Sequence, residues 1–423
     1  MSKVHLPKGM RDLLPHNMLR RNLVIEKIKK TFETFGFLPL ETPAMERKET
    51  LMGKYGDEGS KLIFQILSRG EAGTRGETDL AMRYDLTVPL ARVVAMNPNL
   101  NLPFKRYQIQ PVWRADRPQK GRFREFYQCD VDIVGTDNIL AEAECITIVH
   151  HALKNLGFEH FTIRLNDRQL LRKMVETIGE IDREIEILVI LDKLDKIGKD
   201  GVIGELQKIG IQHEQSQKLF SLLEGADLEE QSHSIEKNLQ NIRQMAISMG
   251  VDPNCVQLDR TLARGLDYYT GPVFETVLDD ANIGSVSGGG RYDGLIGMFS
   301  GQNIPAVGVS LGLERLLVIL EERGENQNIM GTEVWVTVFN EECQPHSIEI
   351  ARKLREAGIK TDISFKSNKL AKQLKEAHKR NIPHAIMIGP DDIASGTIQW
   401  KNMVSGEQKS CTIDELIVAL QYK

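Results

Sequence analysis

Two strand-like runs in the first third of the chain constrain its fold most strongly. They span residues 104–114 (FKRYQIQPVWR) and 124–135 (REFYQCDVDIVG), and a loop rich in Arg, Lys, Pro and Gly separates them. Alternating apolar and polar residues on both sides of one loop are typical of two antiparallel strands. The sequence therefore predicts an antiparallel sheet with a long basic loop joining this pair.

The predicted strand pair and its loop concentrate positive charge. Asp116 is the only acid among the basic residues Arg106, Arg114, Arg117, Lys120, Arg122 and Arg124. Guanidinium groups bind phosphate oxygens in a bidentate fork, so the cluster favours a polyphosphate ligand. Alternation places Arg124 on the same face as Phe126, whose ring offers a stacking surface for a nucleobase. A solvated basic loop explains the spacing equally well.

The rest of the chain divides by its pattern. Residues 168–250 are rich in Leu, Ile, Glu, Lys and Gln with almost no strand signal, which predicts a helical insertion. Strand and glycine signals return at 255–312. Beyond a polar linker, strand and helix patterns alternate, which predicts an α/β domain with a largely parallel core. We therefore expect three parts: 1–167 with 251–325, then 168–250, and 331–423.

Local patterns predict several individual elements. Residues 17–35 place apolar side chains on one helical face, and Gly36 marks the end of that helix. Prolines in the segment 37–45 (FLPLETPAM) suit an edge strand. Residues 80–84 resemble a short strand, and Thr87 is a candidate cap for the helix that follows.

Bulk properties limit the class of protein. A chain of 423 residues is long enough for two or three domains. No apolar run approaches the roughly 20 residues that cross a bilayer, and the N-terminus lacks a signal-peptide pattern. Five scattered cysteines fit a reducing compartment. These features predict a cytoplasmic protein with no membrane partner. The net charge of -5 neither predicts nor excludes a nucleic-acid partner.

Two tyrosines and an arginine form a second candidate ligand-binding segment. The run ARGLDYYTG places Arg264 beside Tyr268 and Tyr269. In a strand the two tyrosines point to opposite faces, so one hydroxyl faces a pocket. Packing around a turn is the alternative interpretation.

Glycines and polar residues mark two further segments. Three glycines in SGGGRYDGL permit close backbone approach to a ligand, or a tight turn. Arg315, in AVGVSLGLERLL, is a candidate anion ligand or a surface residue. Asp85 and Thr87, in RYDLTVP, lie between a predicted strand and helix, where helix capping is the favoured interpretation. The chain has no GxxxxGK[ST], HExxH or GxSxG run, and its histidines lack metal-ligand spacing. No metal site built from protein side chains alone is expected.

Taken in order, these segments resemble the class II aminoacyl-tRNA synthetases. GFLPLETPAM is similar to motif 1, with Pro43 at its proline. Residues 104–132 are similar to motif 2, and AVGVSLGLERLLVIL to motif 3. ARGLDYYTG and SGGGRYDGL resemble the two signatures of the histidyl-tRNA synthetase family. The resemblance covers essentially the whole chain, including the helical insertion and the C-terminal α/β domain.

The resemblance implies an architecture and a reaction. The architecture is an α+β catalytic domain on an antiparallel sheet, a helical insertion, a C-terminal α/β anticodon-binding domain and a homodimer. In the reaction, L-histidine attacks the α-phosphate of ATP, with Mg²⁺ on the phosphates, to give histidyl-adenylate and pyrophosphate. The terminal ribose of histidine tRNA then accepts the histidyl group. The lysines Lys366, Lys369, Lys372, Lys375 and Lys379 form a candidate RNA patch, although a solvated helix face is favoured for most of them.

The resemblance also implies residue roles. The ATP-binding residues would be Arg114, Asp116, Arg122, Arg124, Phe126 and Arg315, with Arg114 on the α-phosphate and Phe126 stacked on adenine. Arg264 would stabilise the charge that grows at the α-phosphate, as the second catalytic arginine. Asp85, Thr87 and Gln128 would bind the substrate amino group. Asp132, Tyr268 and Tyr269 would line the imidazole pocket. Aspartate at 85 and 132, where bacterial relatives often carry glutamate, shortens the reach of both carboxylates.

Three alternatives differ from this interpretation. A non-catalytic, histidine-sensing paralogue would act as a regulatory subunit of histidine biosynthesis, but such chains usually lack the C-terminal domain. An enzyme that loads another carrier would not need that domain either. A scaffold that only binds RNA would have no use for Arg114, Arg264 and Arg315 in one pocket.

Overall fold

The chain folds into two compact units. The computed structural model describes residues 4–228, 230–263, 268–281, 283–324, 331–366 and 369–421. One unit comprises Met1–Asp12 and Arg21–Glu325, and the other Leu13–Arg20 and Asn326–Lys423. In the part of the chain that is described, no helix has both the length and the apolar character needed to cross a bilayer.

An eight-stranded sheet forms the centre of the first unit. The strands of this unit are β1 (Leu38–Pro39), β2 (Met45–Arg47), β3 (Gln65–Leu67), β4 (Thr78–Met82), β5 (Phe104–Trp113), β6 (Glu125–Val134), β7 (Phe161–Asp167), β8 (Val256–Leu258), β9 (Pro272–Leu278), β10 (Ser287–Arg291) and β11 (Ala306–Gly312). The large sheet has the order β1-β5-β6-β11-β10-β9-β7-β8, and β2-β4-β3 form a small antiparallel sheet. Only the outermost pairs of the large sheet, β1–β5 and β7–β8, are parallel. The predicted antiparallel sheet is confirmed.

The strand pair that the sequence predicted lies beside the centre of this sheet. Strands β5 and β6 pair antiparallel from Phe104 opposite Val134 to Trp113 opposite Glu125. Strand β1 contributes two residues at the edge of the sheet, where a proline costs no ladder hydrogen bond. The expected edge position of the proline-containing segment is therefore confirmed.

Helices cover the sheet and build the predicted helical insertion. The helices of the first unit are α1 (Pro15–Thr34, whose first residues belong to the second unit), α2 (Lys48–Leu51), α3 (Gly56–Lys61), α4 (Glu71–Thr74), α5 (Thr87–Met96), α6 (Leu140–Asn155), α7 (Arg168–Thr177), α8 (Glu184–Leu191), α9 (Leu194–Lys208), α10 (His213–Leu223), α11 (Glu230–Ser248), α12 (Asp293–Ser300) and α13 (Leu313–Glu322). One hydrophobic core joins α1, α6 and the sheet to α7–α11. Between residues 168 and 250, the described residues contain helices and turns but no strand, as predicted.

The second unit is an α/β domain with a mixed sheet. Its strands are β12 (Val334–Val336), β13 (Thr361–Ile363), β14 (His384–Met387), β15 (Ile398–Asn402) and β16 (Gln408–Cys411), and its further helices are α14 (Gln344–Glu356), α15 (Leu370–Lys379), α16 (Pro390–Ser395) and α17 (Ile413–Gln421). In the order β13-β12-β14-β15-β16, the first three strands are parallel and the last two add an antiparallel hairpin. The expected parallel core is thus confined to three strands, because β14 continues into a hairpin rather than a crossover.

Candidate active site

The floor of the candidate site is one face of strand β6. Phe126, Gln128, Asp130 and Asp132 alternate along this strand and line the same cavity. Side chains of a strand point to opposite faces in turn, so every second residue reaches one side. Three rows cross the floor, each with one residue from β5, β6 and β11: Arg106, Asp132 and Gly308; Gln108, Asp130 and Ser310; Gln110, Gln128 and Gly312.

A cavity of about 920 Å³ opens above this floor, within the size range of small-molecule sites. Its wall includes Tyr55, Tyr84, Thr87, Arg114, Asp116, Arg122, Tyr268, Tyr269, Tyr292 and Arg315. Most of the residues that the sequence singled out therefore share one cavity, although they come from distant parts of the chain. Arg264 lies outside the described residues.

One part of the cavity is lined by arginines. The Arg114 Nε donates to the Tyr84 carbonyl at 3.0 Å, and the guanidinium carbon lies 4.3 Å from the Tyr84 ring centre and 5.2 Å from that of Phe126. Arg122 pairs with Asp116 at 3.2 Å. Arg315 donates to the carbonyl oxygen of Ser285. These contacts fix three guanidinium groups, of which Arg114 lies beside two aromatic rings, and such a set suits a nucleotide polyphosphate.

Arg124 belongs to the support of this region rather than to the cavity wall. Its Nε donates to the Asp116 carbonyl at 3.0 Å, and its backbone carbonyl accepts from the Arg114 amide at 2.9 Å. Arg124 thereby holds both Asp116 and Arg114 in place from behind.

Asp85 lies behind the part of the wall that Tyr55 and Tyr268 form. Its carboxylate accepts from the Tyr55 hydroxyl at 2.9 Å, the Tyr268 hydroxyl at 3.2 Å and the Val88 amide at 3.0 Å. Burial raises the pKa of Asp85 above its usual value, and these hydrogen bonds oppose that rise. Thr87 is the first residue of α5 rather than its cap, because the Asp85 carboxylate occupies the capping role at Val88.

Asp132 is held by a buried ion pair. The Arg106 Nη2 lies 2.7 Å from one Asp132 oxygen, and the Tyr292 hydroxyl donates to the other. Both side chains are almost fully buried. Burial raises the pKa of Asp132, while Arg106 and the Tyr292 hydrogen bond lower it. The Tyr268 and Tyr269 rings pack edge to face nearby, with their centres 5.1 Å apart.

The glycines that fitted either close approach to a ligand or a tight turn lie in strand β10 rather than in a turn, and Gly288 and Gly289 line the cavity. Gly289 and Gly290 lie in β10, where an added Cβ would come within 2.2 Å of the Gly308 carbonyl oxygen and 2.8 Å of the Pro272 carbonyl oxygen, respectively. At Gly308 itself, a Cβ would lie 2.0 Å from the Asp132 Oδ1. These glycines leave the space in which the strands and the Asp132 carboxylate pack.

Several site residues escaped sequence reasoning. Tyr55 and Tyr292 contact predicted residues only through the fold. Arg106 was predicted as a member of the basic cluster, but the structure buries it against Asp132. Asp130 had a usable signal, because strand alternation puts it on the same face as Gln128 and Asp132. Burial is the main cause that raises the pKa of Asp130 to about 7; Arg106 lowers it and Asp132 raises it. The Gln128 Oε1 is buried and has no hydrogen-bond partner among the described residues.

Among the residues that the structure describes, no group of three His, Cys, Asp or Glu side chains could hold a metal ion.

Sequence and structure comparisons extend over the whole chain. Residues 9–316 match the family model described as histidyl-tRNA synthetase, and residues 333–423 match an anticodon binding domain. The histidine–tRNA ligases of Cytophaga hutchinsonii and Bacteroides fragilis are 41% and 42% identical to this chain, with 99% of each chain covered. A crystal structure of histidyl-tRNA synthetase from Nostoc sp. PCC 7120 has a TM-score of 0.84 at 30% identity, and both chains are fully covered.

The antiparallel sheet and its arginine-lined cavity define the catalytic unit of a class II aminoacyl-tRNA synthetase. The chain belongs to the histidyl-tRNA synthetase family. The resemblance that the five motifs indicated is therefore confirmed.

Proposed function

We propose that this protein activates L-histidine with ATP and transfers it to histidine tRNA. The observation that carries the proposal is the division of charge within one cavity. Arg114, Arg122 and Arg315 line one part, whereas Asp130 and Asp132 line another. The first part suits a polyphosphate, and the second suits an amino acid with a cationic ammonium group and an imidazole ring.

ATP occupies the arginine-lined part in this proposal. Phe126 stacks on adenine, Arg114 binds the α-phosphate, and Arg315 binds the far phosphates. Cationic groups disperse the charge that grows at phosphorus when the histidine carboxylate attacks and pyrophosphate leaves. Arg264 is proposed to share this task, on the strength of its place in ARGLDYYTG. Mg²⁺ arrives with the ATP phosphates as part of the substrate complex.

Histidine occupies the acidic part. Thr87 and Gln128 lie on the cavity surface and are the proposed ligands of the ammonium group. Asp85 lies behind the cavity wall and accepts a hydrogen bond from the Tyr268 hydroxyl. Its negative charge is proposed to favour binding of a cationic group next to that hydroxyl. Tyr269 and Asp132 are proposed to line the imidazole pocket, and a buried hydrogen-bonding site of this kind rejects apolar analogues strongly.

The C-terminal part of the chain is proposed to bind the RNA. We assign residues 1–167 and 251–325 to the catalytic domain, 168–250 to a helical insertion, and 331–423 to recognition of the anticodon. The match of residues 333–423 to an anticodon binding domain supports that assignment. A homodimer in the cytoplasm is the proposed working form, and light scattering after size-exclusion chromatography measures its mass.

Amino-acid-dependent exchange of pyrophosphate into ATP tests the activation step. Each of the twenty amino acids is offered separately, and exchange with histidine alone is expected. Charging of histidine tRNA then tests the second step. A folded protein that binds histidine yet exchanges with no amino acid would instead be a regulatory paralogue.

A further inference from the structure

A short N-terminal segment packs against the loop that carries arginines of the cavity. Residues 7–12 form the N-terminal segment, and residues 114–124 form the loop between β5 and β6. The loop residues that line the cavity are Arg114, Asp116, Gly121, Arg122 and Phe123. None of residues 7–12, all of which the structure describes, belongs to the cavity wall. Any effect of the N-terminal segment on a bound ligand therefore acts through the residues that it contacts.

Backbone hydrogen bonds connect the N-terminal segment to the loop. The Gly9 carbonyl accepts from the Arg124 amide at 2.9 Å, and the Arg124 carbonyl accepts from the Arg114 amide at 2.9 Å. Two consecutive hydrogen bonds thus lead from the N-terminal segment to Arg114, the residue proposed to bind the α-phosphate.

Gly9 approaches the loop as closely as only a glycine can. Its φ of 82° lies in the left-handed region, which residues with a side chain rarely adopt. A Cβ on Gly9 would lie 2.8 Å from the Pro118 Cγ and 2.9 Å from the Arg124 Cγ. The N-terminal segment is therefore in close contact with two residues of the loop.

Arg11 contacts two residues of the cavity wall from behind. Its guanidinium carbon lies 3.7 Å from the centre of the Phe123 ring, which is a cation–π contact. The same guanidinium group donates a hydrogen bond to the Glu314 carboxylate. Phe123 and Glu314 both line the cavity, so Arg11 joins the loop to the residue that precedes Arg315.

Glu314 is a buried carboxylate in the first turn of α13. Its side chain is 4% exposed, and its Oε1 accepts from the Arg21 Nη2 at 2.6 Å and from the Tyr127 amide at 3.4 Å. Buried carboxylates are stable only when they are paired and hydrogen-bonded. Arg11 supplies the partner of the other oxygen, so the loop, β6 and the start of α13 meet at this carboxylate.

We propose that Arg11 and Gly9 are positioning residues for ATP. Arg11 fixes Phe123 and Glu314, and Gly9 fixes Arg124 and, through it, Arg114. This inference rests on the proposed binding of ATP in the arginine-lined part of the cavity. Because the contacts of both residues are to that part, their loss should weaken ATP more than histidine.

Arg11→Gln in the full-length protein tests the role of the guanidinium group. Exchange kinetics are expected to show an ATP KM raised about tenfold, the loss typical of one charge-assisted hydrogen bond, and a histidine KM within about twofold of wild type. Arg11→Lys keeps the charge but not the planar group over Phe123, so its ATP KM should be intermediate. Lys8→Ala removes an exposed cation of the same segment and should leave both KM values unchanged.

Gly9→Ala tests the close approach, with Gly36→Ala as its matched control. Gly36 also has a positive φ, of 76°, but a Cβ there would meet no atom within 4 Å. Both variants strain the backbone, and only Gly9→Ala pushes against the loop. Gly9→Ala is expected to raise the ATP KM by a factor similar to that of Arg11→Gln, whereas Gly36→Ala keeps the ATP KM of wild type.

Limited proteolysis measures the loop without any activity assay. Trypsin cleaves after Lys120 and Arg122, which both lie in the loop. In Arg11→Gln and Gly9→Ala, these two bonds should be cut at least about threefold faster than in wild type, because a loop that opens more often is cleaved faster. Lys8→Ala and Gly36→Ala should be cut at the rate of wild type.

Two results would overturn the inference. One is a normal ATP KM in both Arg11→Gln and Gly9→Ala, and the other is an equal rise of the ATP and histidine KM values in these variants. Failure of the wild-type protein to exchange with histidine would instead reject the proposed function. The cleavage rates after Lys120 and Arg122 would then still show whether residues 7–12 hold the loop.

Discussion

At the scale of single residues, the acidic part of the site contains more carboxylates than cationic side chains. Asp85, Asp130 and Asp132 are all buried, and Arg106 forms an ion pair with Asp132. Burial raises the pKa of each carboxyl. Such an arrangement costs stability in the empty protein and favours a ligand that brings positive charge and N–H donors.

Asp130→Asn is expected to change how stability depends on pH. The pKa of Asp130 is about 7 in the folded protein against 3.8 for an ordinary Asp, so between pH 4 and 7 the folded state binds more protons than the unfolded state. The free energy of unfolding therefore falls as pH rises through this window. Arg106, Asp132, Asp85 and Tyr269 face the group and contribute to its titration.

The variant should gain stability relative to wild type as pH rises from 5 to 7.5. Its own slope is reduced rather than abolished, because burial also raises the pKa of Asp132 and Asp85. Thermal melts across this range measure the difference. Parallel curves for the two proteins would contradict the assignment of the proton to Asp130.

Arg114→Ala is expected to lower the rate of histidine-dependent pyrophosphate exchange about 10²- to 10³-fold. The reason is the loss of a charged donor aimed at the reacting phosphate, an effect of about 3–4 kcal/mol in comparable sites. Arg117→Ala is the matched control, because Arg117 is an exposed residue of the same loop and does not line the cavity. Equal losses in both variants would point to general loop electrostatics.

At the scale of elements, the site depends on strands that approach without side chains between them. Gly290 in β10 pairs with Gly308 in β11, and Gly308 pairs with Asp132 in β6. The Asp132 carboxylate of β6 and the backbones of β10 and β11 are thus packed closely together. Any Cβ in this stack forces backbone or carboxylate to move.

Gly308→Ala tests this packing. Its Cβ would lie 2.0 Å from the Asp132 Oδ1, so the carboxylate is displaced from Tyr292 and Arg106. We expect a melting temperature lowered by several degrees, for a cost of about 1–3 kcal/mol, together with a higher KM for histidine.

Gly288→Ala is the control in the neighbouring strand, since its Cβ would meet its nearest atom, the Phe274 carbonyl oxygen, at 3.9 Å. Its melting temperature should match that of wild type. Normal stability and normal histidine KM in Gly308→Ala would contradict the packing argument.

Within the second unit, two aromatic residues follow the carboxyl ends of adjacent parallel strands. Phe339 follows β12 and Phe365 follows β13, which pair in register at Val336 and Ile363. Phe365 is 93% exposed and is followed by the exposed Lys366. Exposed rings beside cationic side chains are typical of surfaces on which unpaired RNA bases stack.

Phe365→Ala is expected to raise the KM for histidine tRNA about 5- to 100-fold, because base–aromatic stacking contributes about 1–3 kcal/mol. Pyrophosphate exchange should not change, since that step does not use RNA. Val404→Ala, at an apolar residue 85% exposed in the same unit, is the control and should charge tRNA normally. A normal KM for tRNA in Phe365→Ala would exclude this ring from the RNA surface.

At the scale of the whole molecule, the first unit contains every described residue of the cavity. The described residues of the second unit contribute none of its wall. Adenylate formation and recognition of a distant RNA segment can therefore be separated by truncation.

A protein that ends at residue 330 is expected to retain much of its histidine-dependent exchange and to lose most of its tRNA charging. The physical reason is that contacts to the RNA are lost while the cavity stays complete. A thermal melt verifies that the truncated chain is folded, because residues 13–20 belong to the unit that is removed. Charging at the full rate would argue against an anticodon-binding role for residues 331–423.

The sequence by itself determined the elements and the family. Alternation predicted β5 and β6, helical periodicity predicted the helices between residues 168 and 250, and the motif order indicated the histidyl-tRNA synthetase family. These signals are local, because each depends on neighbours along one strand or helix. Arg114, Phe126 and Gln128 were found in this way, and they line the cavity.

Only the tertiary structure decided which groups meet. Arg106 and Tyr292 are 26 and 160 residues from Asp132, and no local pattern shows that they hold its two oxygens. No local pattern shows that Tyr55 donates to Asp85. Nor does one show that the glycines are packing positions in strands rather than a turn. Burial and charge pairing arise from contacts between distant segments. The raised pKa of Asp130 and the ion pair of Asp132 with Arg106 therefore exist only in the folded protein.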